Sequence, residues 1–124
     1  MFLSVAMGGA IGAVGRYYLM SFIGNLFGHG FPYGTVVVNL IGGFLLGALI
    51  EISALVWSPS EEIRALLVVG LLGSFTTFST FSLDIYSLLT RGNFILGGLY
   101  IVVSVIASVV ALIAGMSLLR LILT

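Results

Sequence analysis

The sequence predicts an all-α integral membrane protein with four transmembrane helices, the third of them broken. Three observations carry this. Of 124 residues, 60% are hydrophobic and only 6% charged, against ~25% charged in a soluble domain. Four apolar segments, at 2–23, 36–56, 63–89 and 94–123, each meet or exceed the ~20 residues that a helix needs to cross the hydrocarbon core. The third is interrupted by Gly-Ser-Phe-Thr-Thr-Phe-Ser-Thr-Phe at 73–81. Irregular backbone at bilayer depth survives only when buried in protein or lining a cavity. The run therefore points to an ion or substrate site.

The whole chain, 1–124, reads as one transmembrane domain with short connections at 24–33, 57–62 and 90–93. None of these is long enough to carry an enzyme's active site. Formal net charge is zero, so a nucleic-acid footprint is absent. There is no cysteine, which removes disulfides and thiolate chemistry. Without a basic stretch ahead of its apolar core, segment one reads as a retained span rather than a cleaved signal.

In span one, Gly8, Gly12 and Gly15 present small residues at a spacing that lets helix backbones approach. Arg16 lies about seven residues from the end of the span, or ~10 Å. Two readings stand open: it snorkels to the interface, or it lines a vestibule that attracts anions. Span two carries Thr35 near its start, then Asn39 at a depth similar to Arg16. The Asn39 amide offers N–H either to an anion or to a neighbouring helix. Gly43 and Gly47 repeat the small-residue spacing, and Glu51, near the end, is expected to reach the interface.

Span three begins after a helix-start signal: Ser58 or Ser60 as N-cap, Pro59, then Glu61 and Glu62, where the helix dipole favours anions. Ten residues in, at ~15 Å, Gly73 reaches the midplane. A break there frees carbonyls, and Gly73 and Thr76 become donors suited to a small hard cation such as Na⁺. The competing reading is a glycine kink healed by the Ser74, Thr76, Thr77 and Ser79 hydroxyls. Phe78 and Phe81 are expected on one helix face. Their ring edges carry positive quadrupole charge, which faces an anion without trapping it. Thr77, Ser79, Thr80 and Ser82 supply further hydroxyls.

Deeper along the span, Asp84 pairs with arginine or caps a polar chain. His29, in a Gly-rich loop, is expected to be solvated. Arg91-Gly92-Asn93 makes a tight turn. In span four, Tyr100, Ser104 and Ser108 fall four apart on one face, at depths of ~9 to ~21 Å. They read as a polar track or as glue between helices.

Arg64 and Arg120 lie on the side of the termini, Arg91 on the other, with Arg16 tending toward it. Two against two means that the positive-inside rule favours neither orientation. Two readings stand open: the chain inserts both ways and two copies pair antiparallel, or one orientation wins through a signal other than charge.

These residues resemble the Fluc/CrcB family of fluoride channels. The likeness covers the whole chain, through GGAIGAVGRY at 8–17, GTVVVNLIG at 34–42, GSFTTFSTFS at 73–82 and the Tyr-Ser-Ser track. Asp84 is shorter than the Glu that some members place there. The resemblance implies an antiparallel, dual-topology homodimer in the inner (plasma) membrane. It implies two fluoride pores and one central Na⁺ at the dimer interface. It places Asn39, Phe78 and Phe81 on the fluoride path and Tyr100, Ser104 and Ser108 in the polar track; the Thr77 and Ser79 hydroxyls, read from the run itself, are expected to join that path. It assigns Na⁺ to the Gly73 and Thr76 carbonyls and Arg16 to the vestibule.

Conduction is expected to be passive, because no ATP-binding element is present. Such a channel would export the fluoride that enters a cell as neutral HF. One rival is a small multidrug-type transporter, which needs a deep acid in span one, where this chain has Arg16. A proton-coupled fluoride exchanger needs a titrating acid, for which Asp84 is the candidate. A structural subunit of a larger complex needs no aligned polar track.

Overall fold

The computed structural model describes every residue except His29. The solvated position expected for that side chain lies outside the described residues. The chain runs through α1 (Phe2–Phe27), α2 (Tyr33–Leu55), α3 (Glu61–Arg64), a π-helical stretch (Ala65–Leu72), α4 (Gly73–Phe75), α5 (Ser79–Thr90) and α6 (Phe94–Leu123). From α3 to α5 it forms one interrupted rod, Glu61–Thr90, of 30 residues. This rod, α2 and α6 are each long and apolar enough to cross a membrane. α1 matches them in length with 26 residues but is less apolar than α2 or α6, carrying Arg16, Tyr17 and Tyr18.

The chain is a multi-pass membrane protein, and its surface agrees. Phe2, Ile95 and Leu121 are 93%, 87% and 80% exposed. Apolar surface on that scale fits lipid or another protein face rather than water.

Local chemistry sets the ends of the elements. Ser60 is the cap that starts the third rod, its Oγ accepting the Ile63 N–H at 3.3 Å. After α5, Gly92 at φ 82° donates to the Leu89 carbonyl and Asn93 to the Leu88 carbonyl. This pair of bonds is the Schellman ending that a left-handed glycine permits. Pro32, at φ −78° and ψ 67°, centres an inverse γ-turn closed by Tyr33 N–H to the Phe31 carbonyl at 2.8 Å.

α2 packs chiefly on α6, and α1 on the π-helical stretch. Glycines make both contacts close. A methyl at Gly47 would overlap the Leu112 carbonyl, and one at Gly115 the Phe44 carbonyl. Likewise the Leu66 and Leu71 carbonyls of the π-helical stretch face Gly8 and Gly12. Gly15 is looser, with only the Phe75 ring near it at 3.7 Å.

Glu51 corrects an expectation. A solvent-facing acid is not what the fold makes of it: Glu51 is buried, 4% exposed, with Arg120 Nη2 at 2.8 Å from its Oε1. Its position on α2 faces α6, where a carboxylate is held by the one arginine near the end of that helix.

Candidate functional site

The third rod breaks three residues later than the sequence suggests. Gly73 itself is helical, at φ −62° and ψ −37°. Thr76 turns extended, at φ −81° and ψ 157°, and α5 resumes only at Ser79. The reason is a side chain 38 residues away. Asn39 Oδ1 accepts the Thr77 N–H at 2.8 Å, and its Nδ2 donates to the Thr77 carbonyl at 3.2 Å. Because a backbone N–H can only donate, this network fixes which way the amide points.

An unbroken helix would give the Thr77 N–H to the Gly73 carbonyl and the Thr80 N–H to the Thr76 carbonyl. The first goes to Asn39 instead, and the second goes to Thr77 Oγ1 at 3.1 Å. The Gly73 and Thr76 carbonyls thus both lose their helical partners. Arg16 Nε donates to the Ser74 carbonyl at 3.0 Å, tying α1 to the end of the first half-rod. Part of the healing expected of the hydroxyls also occurs. Ser74 Oγ bonds the Leu71 carbonyl and Thr76 Oγ1 the Leu72 carbonyl. Ser79 Oγ lies 3.3 Å from Thr77 Oγ1.

Beside the break opens a groove of about 420 Å³. Asn39, Gly73, Thr76, Thr77, Phe78, Phe81, Ser104 and Ser108 all line it, with Val105, Val109 and Leu72 as apolar wall. The structure therefore gathers residues from α2, the broken rod and α6 at one place. Phe78 is the N-cap of α5 and Phe81 lies one turn on. Phe81 is buried, whereas Phe78 is 77% exposed. Their rings still meet, with centroids 5.6 Å apart.

Ser104 Oγ is buried and has no hydrogen-bond partner, alone in this among the side-chain polar atoms of the described residues. Its neighbour on the track, Tyr100, is 0% exposed and does not line the groove. The Phe81 ring lies between, 5.2 Å from the Tyr100 ring. Tyr100 donates to Asp84 Oδ2 at 2.9 Å, and Thr35 donates to the same oxygen at 2.8 Å. Of the two roles open to Asp84, capping a polar chain is the one it takes. Thr35 and Tyr100 are adjacent to it only through tertiary contact, and no spacing in the sequence shows that.

This arrangement defines a helical membrane protein with a largely apolar groove, carrying a few polar side chains, built at a broken span. Residues 3–116 match the family described as CrcB-like protein, Camphor Resistance (CrcB), and the chain belongs to that family. It is 49% identical over 116 residues to the fluoride-specific ion channel FluC of Rhizobium johnstonii, covering 94% of this chain and 93% of that one. It is 45% identical over 120 residues to the protein of the same name from Rhodospirillum centenum, covering 97% and 95%. With the one from Hahella chejuensis the identity is 46% over 119 residues, covering 96% and 94%. These relatives are named as ion channels, not as enzymes, and the chain spans nearly their full length.

Proposed function

We propose that this chain forms a passive, fluoride-selective channel that exports fluoride from the cytoplasm. In this reading all four long helical stretches span the bilayer, and two copies pair antiparallel with two pores. The observation that carries it is the buried, unpartnered Ser104 hydroxyl in a groove shared with Asn39, Phe78 and Phe81. An orphaned donor in an otherwise satisfied site is costly unless something fills it. A small anion does so, because it accepts hydrogen bonds.

Selectivity follows from replacing the ion's hydration shell with donors in little space. Asn39 has two amide N–H groups and spends one on the Thr77 carbonyl, which leaves the other for the ion. Ser104 and Ser108 offer hydroxyls, and Phe78 and Phe81 offer positive ring edges. Thr77 and Ser79 add hydroxyls at the rim, and the Arg16 guanidinium attracts anions toward the vestibule. Tyr100 continues the path toward Asp84. The groove is open on one side, which supports completion by a second subunit.

A sodium ion fits the carbonyls of Gly73 and Thr76. Both have lost their N–H partners, and both residues line the groove. Two oxygens from each subunit suit a hard cation, which would supply fixed positive charge at the interface. Against a multidrug-type transporter stands the absence of any acid in α1. A proton-coupled exchanger would have to use Asp84, whose Oδ2 is already committed to Thr35 and Tyr100.

The test is fluoride efflux from liposomes holding purified protein, with and without valinomycin, repeated with chloride. Fast fluoride loss that requires the ionophore, with chloride retained, is expected. Loss without ionophore that follows a pH gradient would replace the channel with an exchanger. No efflux of either ion from folded protein would favour a structural subunit.

A further inference from the structure

One end of the proposed pathway is closed, and the residue that closes it comes from the first loop. Tyr100 and Thr35 are 0% and 1% exposed, although both lie within two turns of a helix start. Their hydroxyls converge on Asp84, two turns before the end of α5. The α1–α2 connection and the α5–α6 turn meet at this end of the bundle. Something must cover the cluster there, and Phe31 does. Its ring and the Tyr100 ring are nearly perpendicular, with centroids 5.4 Å apart and planes at 86°. It packs on the cluster of Phe81, Leu88 and Tyr100. On its outer side the Tyr33 ring lies at 5.0 Å.

The Phe31 backbone is not free to swing. The inverse γ-turn at Pro32 holds its carbonyl, and a following proline restricts the residue before it. Side-chain torsions are what remain. The ring is half-buried, so part of it already faces away from the cluster.

Building on the channel reading, we propose that the Phe31 ring is the closure at the loop end of the ion pathway. An anion that has reached the Tyr100 hydroxyl leaves on this side when the ring rotates off the Tyr100 face. While seated, the ring keeps bulk water from the Asp84–Thr35–Tyr100 cluster. This gives Phe31 a role separate from that of Phe78 and Phe81, which touch the groove itself.

Two measurements test it. The first is fluoride efflux from liposomes for the unsubstituted protein, Phe31→Ala and Phe31→Leu. Breaking one aromatic pair of this kind is expected to speed exit by about fivefold in Phe31→Ala, with Phe31→Leu between the two. The second uses the absence of native cysteine. Thr35→Cys is labelled with a membrane-impermeant methanethiosulfonate in both the Phe31 and the Phe31→Ala backgrounds. Labelling severalfold faster without the ring is expected, and this arm reads closure without reading flux. Equal labelling in the two backgrounds overturns the proposal. So does unchanged or slower efflux from Phe31→Ala that elutes and melts like the unsubstituted protein. Absence of electrogenic flux in the unsubstituted protein overturns the channel reading and this proposal with it. Normal flux that Phe31→Ala leaves unaltered overturns this proposal alone.

Discussion

The α2–α6 interface and the break at residues 76–78 are held by opposite means. Where α2 meets α6, glycines remove side chains so that Gly47 lies on the Leu112 carbonyl and Gly115 on the Phe44 carbonyl. Both helices run unbroken there, and apart from the Glu51–Arg120 pair near their ends the contact is close approach. At the break, backbone groups have lost their helical partners. A long-range side chain, Asn39, satisfies two of them, and Thr77 and Arg16 satisfy two more. The first region rests on removed side chains with one ion pair near its end, and the second on side-chain chemistry throughout. Steric fit makes a scaffold, whereas an interrupted backbone must be re-paired atom by atom, and the atoms left over form the site.

The largest expected effect would break the scaffold. Gly47→Leu forces a side chain into the Leu112 carbonyl, and a loss of ~3 kcal/mol is expected. Thermal unfolding in detergent should show it as a lowered midpoint, with flux falling only in proportion to folded protein. If flux per folded protein fell as well, the two regions would not be separable.

Next is the polar clamp. Asn39→Ala leaves both the N–H and the carbonyl of Thr77 unpaired, at ~1–3 kcal/mol for each group. Fluoride efflux should fall at least ~10-fold, corresponding to ~1.4 kcal/mol, and stability should fall too. Asn39→Asp can accept from Thr77 but cannot donate, so it should recover stability in part without recovering flux.

The smallest change in stability sharpens the contrast most. Ser104→Ala removes a buried hydroxyl that has no partner. It should leave the midpoint unchanged or raise it, by up to about 1 kcal/mol. Efflux should nevertheless drop by about 10-fold, the worth of one hydrogen bond to a charged ligand. A destabilised Ser104→Ala with undiminished efflux would make that hydroxyl part of the scaffold.

Much of this molecule is readable without coordinates. Long apolar segments and an interrupted third one need only composition and length. The glycine spacings at Gly8/Gly12 and Gly43/Gly47 announce close packing, and the Ser60 cap follows from its neighbours. Other features are not readable. Glu51 resembles an interfacial acid because nothing local shows that Arg120, 69 residues on, reaches it. For Arg16 the spacing allows both snorkelling and a vestibule, and nothing in it shows the bond to the Ser74 carbonyl. Phe31 carries no signal at all, since a phenylalanine in a short loop has no periodicity to read.

Local sequence determined which segments leave water for lipid and which of them cannot stay helical throughout. These properties add residue by residue, so the chain states them by itself. Tertiary structure alone decided where the third rod opens, which carbonyls go unpaired and which hydroxyl is left without a partner. Each of those depends on a single donor or acceptor arriving from a distant helix, and a hydrogen bond that closes over dozens of residues leaves no mark in the sequence between its ends.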